Sequence, residues 1–336
     1  MMRRLAAILF CVPLLALVWL RSPVAPVNHE GRITLRPLAV AQLPSPGPGM
    51  VLERAWQLDS TDEHFGGYSA LLALAGGRFL AVSDRGRELA FQEPSSGPLD
   101  ARMGWFATHD GFDKRMFDAE AVTRDPASGT MWVAYEQDNR ILRIDVGGSI
   151  RAANPPAMRQ WPTNSGPEAF VRLMDGRFIV LAEHRARWWG SGGPGLLFPG
   201  DPQAGEPPLR FTFAGPDGYV PVDMGQLPDG RVLVLLRALL YRMPPRFSGA
   251  LLLADPEEIR QGTVWSGRIV ARLDPPLPSD NYEGLAIVPG KDGEVALWII
   301  SDDNVAVTQR TLLLKLRWTP PVPGKGKGAP PRGGAP

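Results

Sequence analysis

The chain has 336 residues and a net charge of +1, which excludes bulk electrostatic attraction to nucleic acid or to an anionic membrane. Apolar residues make up 44%, the level of a globular protein, while 37 glycines and 35 prolines suit many short strands joined by turns. The single cysteine, Cys11, lies near the N-terminus, so residues beyond it offer no disulfide, thiol nucleophile or cysteine–zinc site.

Arg3 and Arg4 precede an uncharged apolar run, Leu5 to Leu20, followed by Arg21 and a proline-rich stretch. This pattern predicts export, with residues 1–25 acting either as a cleaved signal peptide or as a retained membrane anchor. The body would then be periplasmic or extracellular, either free or anchored through that segment. Residues 26–50 read as a linker leading into a first strand, Ile33 to Val40. The loop Asp59 to Gly67 carries His64, and Thr108 to Gly111 carries His109; both read as solvated loop histidines, with His109 a candidate base at a channel mouth.

One hairpin unit recurs along the body. Ser69-Ala70 leads through Gly77-Arg78-Phe79 to Ser83-Asp84-Arg85. Ala119–Arg124 and Met131–Glu136 pair around Asp125-Pro126 and Ser128-Gly129, and a third strand, Arg140–Asp145, follows. Glu168-Ala169 runs to Glu183, Val222-Asp223-Met224 to Arg237, and Glu283-Gly284 to Ser301-Asp302. The openings at 69, 120, 168, 222 and 283 stand about 48 to 61 residues apart, close to the period of propeller blades. The expectation is an all-β chain folded as one β-propeller over residues 51–318. Six blades are favoured over five, the sixth closed between Ile33–Val40 and Thr311–Trp318.

Two connectors stand out. Arg185 to Asp201 holds Trp188 and Trp189 among glycines and reads as a packed connector or a lid. Ala254 to Gln261 reads as the one helix, with Asp255 as cap, Pro256 at its first position and Glu258 completing a capping box. Thr319 to Pro336 has no apolar face and reads as a disordered basic tail.

Because antiparallel partners place one strand's start beside the other's end, the hairpins should gather polar residues at one channel mouth. The expected metal ligands are Glu120, Glu168, Glu183, Asp223, Glu283 and Asp302; Arg85, Glu136 and Arg237 are the expected catalytic residues, beside Asp84. Converging carboxylates call for a cation or shared protons, and oxygen-only donors suit calcium or magnesium. The arginines would orient a substrate anion. No G-x-S-x-G elbow, H-E-x-x-H, phosphate loop or dinucleotide fingerprint is present.

The segments GGYSALLALAGGRFLAVSDRG, FDAEAVTRDPASGTMWVAYEQDNRILRID, GPEAFVRLMDGRFIVLAE and NYEGLAIV with LWIISDDN resemble the phytase-like family. The resemblance implies a secreted or periplasmic propeller that hydrolyses phosphoesters or related esters with Ca2+ and a water nucleophile. The expected partner is a small anionic or ester substrate, with no nucleic acid, and the chain is expected to act as a monomer. A non-catalytic propeller that binds a sugar, peptide or envelope component on the same face is the alternative.

Overall fold

A computed structural model describes residues 31–95, 97–106, 118–163, 165–183, 192–240 and 246–322. Two strands, β1 (Ile33–Pro37) and β2 (Met50–Ser60), come first. Blade one is β3 (Tyr68–Leu74), β4 (Arg78–Ser83), β5 (Arg87–Gln92) and β6 (Ala101–Trp105). Blade two is β7 (Ala119–Arg124), β8 (Met131–Tyr135), β9 (Arg140–Ile144) and β10 (Ile150–Ala153). Blade three contains β11 (Pro167–Arg172), β12 (Phe178–Ala182), β13 (Gly193–Phe198) and β14 (Leu209–Ala214). Blade four contains β15 (Val220–Gln226), β16 (Val232–Leu240) and β17 (Arg246–Ala254). The chain then lends β18 (Val264–Ser266) to blade three, parallel to β14, before β19 (Arg268–Leu273) completes blade four. Blade five is β20 (Asn281–Pro289), β21 (Val295–Asp302) and β22 (Thr311–Trp318), extended outward by β2 and β1.

The propeller therefore has five blades, not six. The terminal strands that were expected to make a sixth join the fifth sheet: β2 pairs with β22, Trp56 opposite Leu313 and Leu58 opposite Thr311. The N-terminal strands thus lock onto the C-terminal one, which removes the open edges where the ring closes. The inner strands β3, β7, β11, β15 and β20 pack in that order around the channel, and β20 returns to β3. Between neighbouring blades lies one apolar seam each, five in all, built from residues alternating along the strands.

The closing seam, between blades five and one, is aromatic. Trp298 is 1% exposed. It stacks on Trp56 with centroids 5.9 Å apart and lies 4.7 Å from the Phe79 ring. Trp298→Ala is expected to cost about 3–5 kcal/mol of unfolding free energy, because the cavity falls where the two termini are tied together. Denaturant unfolding with an unchanged slope checks this; a loss below about 1 kcal/mol would contradict the closure.

Two further expectations change. The Ala254–Gln261 helix is only a 3-10 turn, Pro256–Glu258, although Asp255 caps it and accepts a hydrogen bond from the Glu257 N–H as foreseen. Ala254 ends β17, and Ile259, 2% exposed, is drawn into the seam between blades three and four, so the helix cannot propagate. The Arg185–Asp201 connector is not loop throughout: it contributes β13, Gly193–Phe198, to blade three. Residues 1–30, His109, Trp188, Trp189 and 323–336 lie outside the described residues.

Candidate active site at the carboxylate mouth

Each inner strand carries a register shift at its entrance, between Tyr68 and Ala70, Ala119 and Ala121, Pro167 and Ala169, Pro221 and Asp223, and Tyr282 and Gly284. The extra residues are Ser69, Glu120, Glu168, Val222 and Glu283, the five hairpin openings. A bulge re-aims its side chain and ends regular pairing, so the repeat places three glutamates on one ring. The next position is small in four blades: Ala70, Ala121, Ala169 and Gly284. The neighbouring strand is close there; a Cβ on Gly284 would come within 2.8 Å of the Leu71 nitrogen.

Blade four puts Asp223 at this small position. Its Oδ2 accepts from the Leu285 N–H at 2.6 Å and its Oδ1 from the Met224 N–H at 2.8 Å. Asp223 thus ties blade four to blade five through backbone groups and belongs to neither carboxylate triad described below. Its burial still pushes its carboxyl well above the usual range.

A second ring stands one register step beyond the strands that face the bulges. Asp84, Glu136 and Glu183 donate their N–H groups to the carbonyls of Gly67, Asp118 and Gly166, while Arg237 pairs with Val220 and Asp302 with Asn281. The repeat therefore substitutes one arginine for an acid at a common position. Arg85 follows the ring residue Asp84, and its Nη2 donates to the Phe65 carbonyl at 2.9 Å.

Carboxylate oxygens converge in two groups that share Glu136: Asp118, Glu120 and Glu136, and Glu136, Glu168 and Glu183, each within 4.8 Å of one another. The Gly166 N–H holds Glu136 Oε1 at 3.1 Å. Arg237 faces the other side of the ring. Its Nη2 donates to Glu183 Oε1 at 2.6 Å, its Nη1 to Asn281 Oδ1 at 2.8 Å and also to Glu283 Oε1. Asp302 accepts from the Asn304 N–H at 2.7 Å, and its carboxyl is raised by burial and by Glu283.

Burial, and next the neighbouring acids, raise the carboxyls of Glu120 and Glu168 well above the usual range. Asp118 and Glu136 are raised too, burial being the main cause. Glu283 is pushed up to about 7 by burial, with Arg237 opposing the rise. The mouth is thus short of positive charge. An all-oxygen donor set with shared, mutually repelling carboxylates fits a hard divalent cation such as calcium.

Asp118 and Asn281 escaped the sequence reading. Both stand one register step before an inner strand or at its first residue, opposite a second-ring acid, whereas Gly67, Gly166 and Val220 hold that place elsewhere. Asp118 has φ 80°, a left-handed conformation that aspartate tolerates better than most residues. Its one legible signal was an acid two residues before Glu120. His64 lies 5.9 Å from the Trp105 ring and 3.5 Å from Glu63. A groove of about 1520 Å³ along β1 and β2 contains no ring residue, and a recess of about 630 Å³ lined by the inner hairpin turns, with Pro126, Pro228 and Pro289, is mainly apolar.

Fold and mouth together define a five-bladed propeller with an acidic, cation-suited channel entrance. The chain belongs to the phytase-like family: the family model described as esterase-like activity of phytase matches residues 63–305. A search of curated proteins finds no match. Among solved structures, a gluconolactonase from Xanthomonas campestris is 13% identical, with 88% of this chain and 98% of that one covered and a TM-score of 0.40. Virginiamycin B lyase from Staphylococcus aureus is 11% identical, covering 84% and 99% with a TM-score of 0.41. Hydrazine synthase from Kuenenia stuttgartiensis is 12% identical, and this chain spans only 58% of that chain's length, at a TM-score of 0.38. These similarities are too low to bear on chemistry.

Proposed function

We propose that the protein is an exported, metal-dependent hydrolase of phosphoesters or related esters, acting at the acidic mouth. The observation that carries this reading is the pair of carboxylate triads sharing Glu136. Asp118, Glu120, Glu136 and Glu168 would hold calcium, with Glu183 shared between that group and Arg237. Bound there, calcium would lower the pKa of a coordinated water and offset charge developing on the ester.

The chain's own residues supply the rest. Glu283 lies outside both triads, and a carboxyl held at about 7 can both accept and return a proton near neutral pH. Its place is to take the proton from attacking water and deliver it to the departing oxygen. Arg237 fixes Glu283 and Glu183 in position. Val222, the apolar member of the bulge ring, supplies no donor or acceptor and leaves that sector to Arg237.

Purified protein with calcium should hydrolyse p-nitrophenyl phosphate or p-nitrophenyl acetate. Glu120→Gln should weaken calcium binding and lower turnover together, by tens of fold or more, as expected when about 2–4 kcal/mol of electrostatic stabilisation is lost. Wild-type protein inactive on both ester types across calcium concentration and pH would reject the hydrolase reading.

A further inference from the structure

We infer that the far end of the channel is a second binding site, for an amphiphile with one anionic head, a carboxylate or phosphate, and an apolar chain. It does not depend on the chemistry proposed for the acidic mouth. The inner strands start at that mouth and finish at the recess of about 630 Å³, to which all five contribute residues. This volume lies in the range of small-molecule pockets. Leu72, Val122, Val171, Leu285 and Ile287 supply apolar walls. Met174, 62% exposed, stands in the β11–β12 turn that borders them, and a methionine adapts its shape to an apolar ligand.

Most polar groups of this lining are spent on the protein. Thr123 Oγ1 accepts from the Arg172 N–H at 2.8 Å. Gln226 Oε1 accepts from the Met174 N–H at 2.6 Å, and its Nε2 donates to the Gly230 carbonyl at 2.8 Å. Glu93 holds Lys315 Nζ at 2.7 Å, and Asp223 is tied to the N–H groups of Leu285 and Met224. What remains is two cations, Arg124 and Arg172, both in the lining of the recess. They end the adjacent inner strands β7 and β11, which the Arg172–Thr123 bond sets side by side.

The hairpin turns explain why these two charges are left over. In blades three and four, Arg177 and Arg231 donate from Nε to the acid two residues earlier, Asp175 at 2.7 Å and Asp229 at 3.0 Å. The turn acid of blade two, Asp125, folds back on its own turn instead. Its Oδ2 accepts from Ser128 Oγ at 2.7 Å and its Oδ1 from the Ala127 N–H at 3.2 Å. That Oδ1 lies 3.7 Å from Arg172 Nη1, which reaches the Leu173 carbonyl at 3.3 Å. Arg124 makes no ion pair among the described residues. A guanidinium matches a carboxylate or phosphate through paired N–H groups, so the arginines suit the head while the walls bury the chain. A neutral chain would gain nothing from the two charges, and a cationic one would be repelled.

Calorimetric titration of the full chain in chelator tests this, since chelation removes any calcium that could hold a carboxylate at the mouth. Decanoate or decyl phosphate, kept below micelle formation, should bind saturably and more tightly than neutral 1-decanol or cationic decyltrimethylammonium. Octanoate, two methylenes shorter than decanoate, should bind about ten-fold more weakly. Arg124→Gln should weaken decanoate binding about ten-fold, and Arg172→Gln, on the next blade, should do the same. Glu136→Gln, at the other end of the channel, should leave it unchanged. Phosphatidylglycerol vesicles separate a free amphiphile from a membrane lipid: binding to vesicles with none to free decanoate or decyl phosphate would overturn the inference. So would equal or tighter binding of the neutral or cationic probe, an affinity unmoved in both folded arginine variants, or decanoate binding lost in Glu136→Gln, which would place the ligand at the mouth.

Discussion

Arg237→Ala is expected to destabilise the metal-free protein by about 2–4 kcal/mol, the scale for breaking a mostly buried ion pair, reduced for its partial contact with water. The side chains of Arg237, Glu183 and Glu283 are 20%, 25% and 10% exposed. Alanine would leave the two glutamates facing each other with no counter-charge, and would strip Asn281 Oδ1 of its donor. An arginine reserved for substrate would leave the melting temperature almost unchanged. Its three partners argue against that role. Two comparisons isolate the cause: Glu283→Gln in the alanine background should recover part of the loss, and calcium should shrink it. Equal denaturant midpoints for wild type and Arg237→Ala in chelator would contradict the structural role.

The chelated protein is expected to lose stability as pH rises from about 5 to 8. Glu283 has an ordinary value of 4.5 and a folded value of about 7. Below about 4.5 it is protonated in both states. Between 4.5 and 7 the unfolded chain releases the proton while the folded protein keeps it, so the folded state binds more protons and stability falls with pH. The loss through that window is on the order of 3 kcal/mol for this group. Glu120 and Glu168 are raised as well and act in the same direction. Asp125, Asp145 and Asp229 are lowered from 3.8, so their opposite contributions disappear only at more acid pH, outside this window. Saturating calcium should flatten or reverse the slope, because a cation favours the ionised ring. Thermal melts at fixed ionic strength check the sign; a chelated protein that gains stability between pH 5 and 8 would contradict it.

Much of this site could be read from the chain because the repeat is short-range. Glu120, Glu168 and Glu283 announce themselves as an acid followed by Ala or Gly, and that pair is what the bulge and the neighbouring strand demand. Glu136, Glu183 and Asp302 follow from hairpin geometry, since a β-hairpin places its two ends together. The blade count was less legible. The pairing of β2 with β22 joins residues more than 250 positions apart and has no local signature. Asp223 misled for a related reason: its bonds to Leu285 and Met224 depend on how closely β15 approaches β20, which no single hairpin encodes. Asp118 and Asn281 stand at or just before the strand entrances, where only the assembled register shows what they face.

Calcium stoichiometry tests the central claim most directly. Chelated wild type, Glu136→Gln and Glu120→Gln should be dialysed against calcium, with bound metal counted and melting followed in parallel. Because Glu136 belongs to both triads, the account predicts calcium bound by wild type with a rise in melting temperature of several degrees. Both should be lost or sharply reduced in Glu136→Gln and weakened in Glu120→Gln. Wild-type protein that retains no calcium and melts identically with calcium and with chelator would contradict the account, leaving the mouth as a ring of acids balanced by Arg237 and shared protons alone.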